Sequence, residues 1–96
     1  MKSIVLEALA LKEIDAALKL SRNTDKFKAK LRVTWGLLAT NPQLGDPVGR
    51  LGARRMILKR PPYSVVYIEE SNAVRVIAFA HHKRRPFYWR KRLPRK

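Results

Sequence analysis

The hydrophobic period of this chain changes once, and that change constrains the fold more than any other feature. Before Pro42 the apolar residues recur every three or four positions, as on one face of an α-helix. After Gly52 they form short runs rich in Val and Ile that are separated by turn residues, as β-strands do. Residues 41–52, NPQLGDPVGRLG, read as a loop between the two halves. The sequence therefore predicts an α+β protein.

Two amphipathic helices are predicted in the first half, after a short strand over residues 3–6. The first helix spans about residues 9–20, where Leu11, Ile14 and Leu18 form an apolar stripe. The second begins with Thr24 as its N-cap and ends before Pro42. Its own stripe consists of Phe27, Leu31, Trp35 and Leu38. The short break between the two helices favours a helical hairpin.

Three strands are predicted in the second half, over residues 54–59, 64–69 and 74–80. The last of them is apolar on both faces except at Arg75, which is typical of a central strand. Pro86 suits the first position of a short C-terminal helix or turn. The predicted order is β-α-α-β-β-β, with a small antiparallel sheet packed against the helical hairpin in a single domain of residues 1–96.

Charge narrows the possible partners. The chain has 22 Lys and Arg against 7 Asp and Glu, a formal charge of +15, and no acidic residue follows Glu70. Such a field attracts nucleic acid, an anionic membrane surface or an acidic protein. No apolar run is long enough for a transmembrane helix, and the start lacks the features of a signal peptide, so we expect a cytoplasmic protein without membrane association.

Neither a metal nor a cofactor is expected from the residue types. The chain has no cysteine, which excludes disulfides and thiolate ligands. His81 and His82 are adjacent, so on an extended chain they point to opposite faces, and no carboxylate lies near them in sequence. The sequence contains no nucleophile elbow and no glycine-rich phosphate loop.

The end of the chain, HHKRRPFYWRKRLPRK, interleaves basic residues with Phe87, Tyr88 and Trp89. Guanidinium groups can pair with phosphates and stabilise the charge that develops when RNA is cleaved, and a Tyr or His can transfer a proton. These residue types permit a metal-independent ribonuclease. Alternatively, Phe87 and Trp89 pack this segment onto the sheet. We expect residues 81–92 to be folded and residues 93–96 to form a loose end.

The stretch from Arg60 to Arg92 resembles the RelE/ParE superfamily of bacterial toxin–antitoxin toxins, the plasmid-stabilisation proteins. The resemblance rests on Pro62-Tyr63 and Tyr67, then Ala80-His81, Arg84 or Arg85, Pro86, Tyr88-Trp89 and Arg92. It implies a small twisted antiparallel sheet flanked by two helices. It also implies a hetero-oligomer with a short, acidic, DNA-binding antitoxin that neutralises the toxin.

The superfamily divides by mechanism, and the resemblance leaves both branches open. ParE-like toxins inhibit DNA gyrase, whereas RelE-like toxins cut mRNA on the ribosome. In the RelE-like case the matching catalytic positions are Arg60, His81, Arg84, Arg85 and Tyr88. The residues expected to bind nucleic acid or another target are Arg54, Arg55, Lys83, Trp89, Arg90 and Arg92.

Gyrase inhibition is the preferred branch, because arginines stand where the nuclease branch usually has paired lysines. Arginine stays protonated and is a poor general acid or base. Setting the resemblance aside, the composition also allows a small basic nucleic-acid-binding protein.

Overall fold

The structure is a computed structural model that describes residues 1–49 and 51–93. The chain forms β1 (Ser3–Leu6), α1 (Ala8–Leu20), α2 (Thr24–Thr40), β2 (Asp46–Val48), β3 (Ala53–Leu58), β4 (Tyr63–Glu69), β5 (Ala73–His81) and a final 3₁₀ turn (Tyr88–Arg92). The predicted α+β class and the order β-α-α-β-β-β are confirmed, with the short strand β2 as an addition after the helices. None of the described helices combines the length and apolar character that crossing a membrane requires.

One five-stranded sheet has the order β1-β5-β4-β3-β2. The strands β3, β4 and β5 are antiparallel neighbours and β5 lies inside the sheet, as predicted, while β2 adds an antiparallel edge strand that was not predicted. The first strand departs from the prediction of an antiparallel sheet, because β1 runs parallel to β5 and pairs Ser3 with Ala73. Parallel pairing requires a long connection, and here both helices and the strands β2, β3 and β4 lie between β1 and β5 in the chain.

The stretch predicted as a loop contains the short strand β2, which pairs with β3 at the edge of the sheet. The hydroxyl of the buried Tyr67 holds the entry to this strand, because it donates to the Pro42 carbonyl at 2.7 Å and accepts from the Gly45 amide at 2.8 Å. Gly45 has no room for a side chain, since a Cβ would lie 2.7 Å from that hydroxyl.

Three local expectations for the helices are corrected. The N-cap of α2 is Asn23 rather than Thr24, because the Asn23 side chain accepts from the Lys26 amide at 3.0 Å. The buried face of α1 consists of Ala10, Ile14 and Ala17. Leu11 is exposed, because the small alanines bring α1 close to the sheet along a stripe one position away.

The two faces of the sheet are covered differently. On the helical face, α1 and α2 bury a large cluster that includes Phe27, Leu38, Val65 and Phe79. On the opposite face, which we call the C-terminal face, a smaller cluster includes Val66, Ile77, Trp89 and Leu93. Leu93 is therefore packed, and the expected loose end does not begin there. Residues 94–96 of that prediction lie outside the described residues.

Candidate target-binding cleft

A cleft of about 410 Å³ opens on the C-terminal face. Its floor comes from β3, β4 and β5, and one wall comes from residues 82–93, which we call the C-terminal segment. The lining residues are Arg55, Ile57, Ser64, Ala80, His81, His82, Arg84, Arg85, Pro86, Phe87, Tyr88 and Trp89. The cleft thus brings together six of the candidate site residues: Arg55, His81, Arg84, Arg85, Tyr88 and Trp89.

Glu13 on α1 attaches the C-terminal segment to the rest of the fold. Its carboxylate accepts from the Tyr88 hydroxyl through one oxygen and from the Arg92 guanidinium at 2.7 Å through the other. The Glu13 side chain is 14% exposed and the Arg92 side chain 18%, so water screens this ion pair only weakly. We call the three residues the Glu13 clamp.

The clamp also provides hydrogen-bond partners for backbone groups of β5 beyond the end of its pairing with β1. Pairing with β1 ends at Val76, and the backbone groups that follow need other partners. The Phe79 amide donates to Glu13 Oε1 at 3.1 Å, and the Ile77 carbonyl accepts from Arg92 Nη1 at 3.0 Å. Removing the Glu13 carboxylate would therefore leave a backbone donor without its acceptor.

Tyr88 is held in its neutral form. Burial raises the pKa of the phenol, and the hydrogen bond to Glu13 and the charge of that carboxylate raise this pKa further, well above 10. Arg84 lies over the ring, with its guanidinium carbon 3.8 Å from the centroid, and Arg92 lies at 5.2 Å. Both cations act against the rise in pKa without cancelling it.

Arg84 and His81 are better placed to meet a ligand. The Arg84 side chain is 54% exposed, and its contact with Glu13 is long, at 3.7 Å. His81 Nδ1 accepts a hydrogen bond from the Lys83 amide at 3.0 Å, so a neutral ring carries its proton on Nε2. Arg55 and Arg85 are exposed side chains that line the same cleft.

Other residues expected in the site lie elsewhere or are engaged within the fold. Arg54 donates to the Gly45 carbonyl at 2.7 Å and supports the loop before β2. Arg60 lies beside α2 in a groove that it shares with Lys30 and Lys59, away from the cleft. Lys83 is exposed, and Arg90 lines a neighbouring pocket beyond the C-terminal segment.

The aromatic residues of the segment divide between core and surface. Trp89 is 5% exposed and joins the apolar cluster on the C-terminal face, as the packing interpretation expects. Phe87 is 49% exposed and does not fit that interpretation. A surface role for Trp89 stays a prediction, and the structure leaves little of its ring accessible.

Glu13 is the site residue that the sequence did not reveal. Its partners Phe79, Tyr88 and Arg92 are 66 or more positions away in the chain. An acidic residue on an amphipathic helix normally faces solvent, so nothing local distinguishes it. Among the described residues no group of three or more His, Asp or Glu could hold a metal ion.

Fold and cleft together define a small, strongly basic α+β protein of the kind found among bacterial toxins. The family model described as "ParE toxin of type II toxin-antitoxin system, parDE" matches residues 4–86. This match covers most of the chain. The chain belongs to the ParE toxin family, within the RelE/ParE superfamily that the sequence resembled.

Solved structures support the same fold. The chain is similar to one from the chromosomal ParDE system of P. aeruginosa, with a TM-score of 0.64 and 20% identity over 84% of this chain and 96% of that one. It is also similar to one from the intact E. coli RelBE toxin–antitoxin complex, with a TM-score of 0.62 and 19% identity over 88% and 100%. The isolated E. coli RelE toxin has a TM-score of 0.57 and 20% identity over 95% of each chain. No curated protein matches the sequence.

Proposed function

We propose that this protein arrests bacterial growth by binding DNA gyrase, and that an acidic antitoxin neutralises it. Membership of the ParE toxin family supports this proposal. The observation that carries it is the Glu13 clamp. The clamp engages Tyr88, a candidate catalytic residue of a ribonuclease, together with Arg92, while the exposed Arg55, Arg84 and Arg85 remain available for binding.

The chemistry of the clamp favours binding over catalysis. A general acid or base needs a pKa near the working pH, and the pKa of Tyr88 is shifted further away from neutrality. Arg92 is held against Glu13 and the Ile77 carbonyl, so its charge is already balanced. A site that inhibits by occupying a protein surface requires neither group to react.

The antitoxin partner is inferred from charge and from the fold's relatives. Two of the similar structures are described as a toxin–antitoxin system or complex. A formal charge of +15 on 96 residues favours a partner that supplies negative charge. We therefore expect a toxin–antitoxin hetero-oligomer, in which an acidic chain covers the basic surface.

A ribosome-dependent endoribonuclease is the second candidate, because one specific arrangement favours it. His81 shares the cleft with Arg55, Arg84 and Arg85. In this mechanism His81 Nδ1 exchanges its hydrogen bond from the Lys83 amide for one from the ribose 2′-hydroxyl, and it takes that proton as the 2′-oxygen attacks the adjacent phosphorus. The bond from phosphorus to the 5′-oxygen then breaks, the leaving 5′-oxygen takes a proton from water, and the arginines stabilise the charge on the phosphoryl oxygens.

Two assays decide between the candidates. The purified protein is added to a gyrase supercoiling reaction, and separately to a translating extract in which mRNA ends are mapped. The proposal predicts loss of supercoiling and intact mRNA. Normal supercoiling together with cut mRNA would instead support the ribonuclease. Inducing the gene with and without its neighbouring antitoxin gene tests neutralisation, since growth arrest should occur only without the antitoxin.

A further inference from the structure

We propose that Phe87 is the apolar anchor of a protein-binding surface, and that this surface takes an acidic patch on the target protein. The inference rests on the proposed function and makes it more specific. It assigns recognition to a residue that lies outside the Glu13 clamp and needs no reactive group.

The position of Phe87 suits an anchor. Its side chain is 49% exposed, whereas its neighbour Trp89 is buried. Four exposed cations flank it along the C-terminal segment: Arg84, Arg85, Arg90 and Lys91. Residues of highest binding energy in protein interfaces are enriched in aromatic side chains and arginine. The absence of acids after Glu70 makes this surface complementary to a negatively charged partner.

The backbone at Phe87, which caps the final 3₁₀ turn, is left-handed. Its φ is 61°, and it is the one non-glycine residue with positive φ in the described chain. This left-handed conformation is uncommon for a bulky side chain, and glycine or asparagine would adopt it more easily. Such strain is concentrated at functional positions, where it fixes a side chain in a particular direction.

The surroundings of Phe87 hold its ring in place before any partner arrives. Its ring centroid is 5.6 Å from that of the buried Trp89, at an interplanar angle of 54°. Tyr88, the next residue, is held by Glu13. An anchor that is already ordered loses little conformational entropy on binding.

A protein partner fits this surface better than a nucleic acid does. Beside Phe87 lies a pocket of about 400 Å³ whose lining includes Val48, Leu51, Trp89, Leu93 and the charged Arg90. An exposed aromatic side chain next to an apolar pocket can interlock with a protein surface. A site built on stacked bases would leave this apolar pocket unused, so the pocket, and not the surrounding cations, favours a protein partner.

Glycine and asparagine at position 87 separate the binding role from folding. Phe87→Gly and Phe87→Asn both remove the anchor and relieve the left-handed backbone. We expect the melting temperature to stay within about 5 °C of the parent. Inhibition of gyrase supercoiling should weaken by about 30-fold or more, the scale of an interface anchor. Phe87→Trp should retain most of the inhibition, and Leu20→Ala, which removes an exposed leucine from the end of α1, should retain all of it.

The outcomes separate this inference from the proposed function. If the parent protein inhibits gyrase and Phe87→Gly inhibits it equally, the anchor is wrong and the function stands. If the parent does not inhibit gyrase, the proposed function is wrong, and growth arrest on induction tests the anchor. If Phe87→Gly arrests growth as strongly as the parent does, the anchor inference is wrong. If it arrests growth more weakly at an equal protein level, Phe87 is an anchor for a protein other than gyrase.

Two further measurements exclude other ligands for this surface. Fluorescence titration with a single-stranded oligonucleotide should show the same binding for the parent and for Phe87→Gly. Loss of oligonucleotide binding in Phe87→Gly would assign the ring to base stacking and overturn the inference. Sedimentation of the parent and the variant should also agree, because a change in self-association would assign the surface to a second copy of the chain.

Discussion

The two faces of the sheet are stabilised by different interactions. The helical face is sealed by aliphatic and aromatic side chains, with Phe27, Tyr63 and Phe79 in mutual contact. The C-terminal face has a smaller apolar cluster, and its covering segment is tied down by the charged and polar contacts of Glu13. The first face contributes most of the stability, whereas the second presents basic groups in a defined geometry.

This difference explains how the strongly basic C-terminal segment can be ordered. A short segment rich in Arg and Lys cannot bury enough apolar area to order itself. Trp89 and Leu93 supply a limited apolar contact, and the partly buried Glu13 carboxylate adds hydrogen bonds to Tyr88 and Arg92. This difference between the two faces predicts that substitutions on the helical face unfold the protein, whereas those on the C-terminal face mainly change its activity.

The largest effect is expected from Phe79→Ala on the helical face. Phe79 is 1% exposed and packs against Phe27 and Tyr63, so its loss leaves a cavity and should cost about 3–5 kcal/mol. Urea denaturation followed by circular dichroism measures this change. Phe79→Leu is the matched control and should cost less. A fully stable alanine variant would show that the helical face does not dominate stability.

The next largest effect is expected from Glu13→Ala, which removes the clamp. Arg92 and the Phe79 amide would lose a buried acceptor, so we expect a loss of about 2–4 kcal/mol and faster hydrogen exchange at the Phe79 amide. Growth inhibition should also fall. Asp15→Ala, an exposed acid on the same helix, is the control. Equal effects of the two substitutions would contradict the clamp.

A functional effect with little change in stability is expected from Arg84→Ala. Its side chain is 54% exposed, so the free energy of unfolding should change by no more than about 0.5 kcal/mol. Toxicity should nevertheless decrease, because the variant loses a cation of the cleft. Lys96→Ala, whose position lies outside the described residues, should reduce toxicity less. Equal toxicity of the two variants at equal expression would remove Arg84 from the site.

The smallest effect concerns pH and Tyr88. The pKa of Tyr88 is raised in the folded state, so its neutral form is the one that the fold stabilises. This contribution is complete below the unfolded pKa of about 10 and is lost as pH rises from there through the folded value. Stability should therefore fall above pH ~10, and Tyr88→Phe should reduce that dependence. Burial also raises the pKa of Tyr63 and Tyr67, so part of the dependence should remain in the variant.

The sequence predicted the repeating elements because each has a local cause. The apolar spacing of residues 27–38 specifies a helix whichever partner it meets, and the runs within β3, β4 and β5 specify strands. The short strand β2 escaped prediction, because it contains Pro47 and is only three residues long. It is ordered by pairing with β3 and by Tyr67, both distant along the chain.

For the candidate site, the sequence by itself determined the residue types, and the tertiary structure decided their roles. A chain with no acid after Glu70 must present a basic C-terminal segment. Whether the Tyr88 hydroxyl is free or hydrogen-bonded within the fold depends on Glu13, which lies 75 positions away in the chain. Likewise, only packing on the sheet buries Trp89 and leaves Phe87 exposed. Composition sets the total charge, but long-range contacts decide which groups are engaged inside the fold and which can meet a partner.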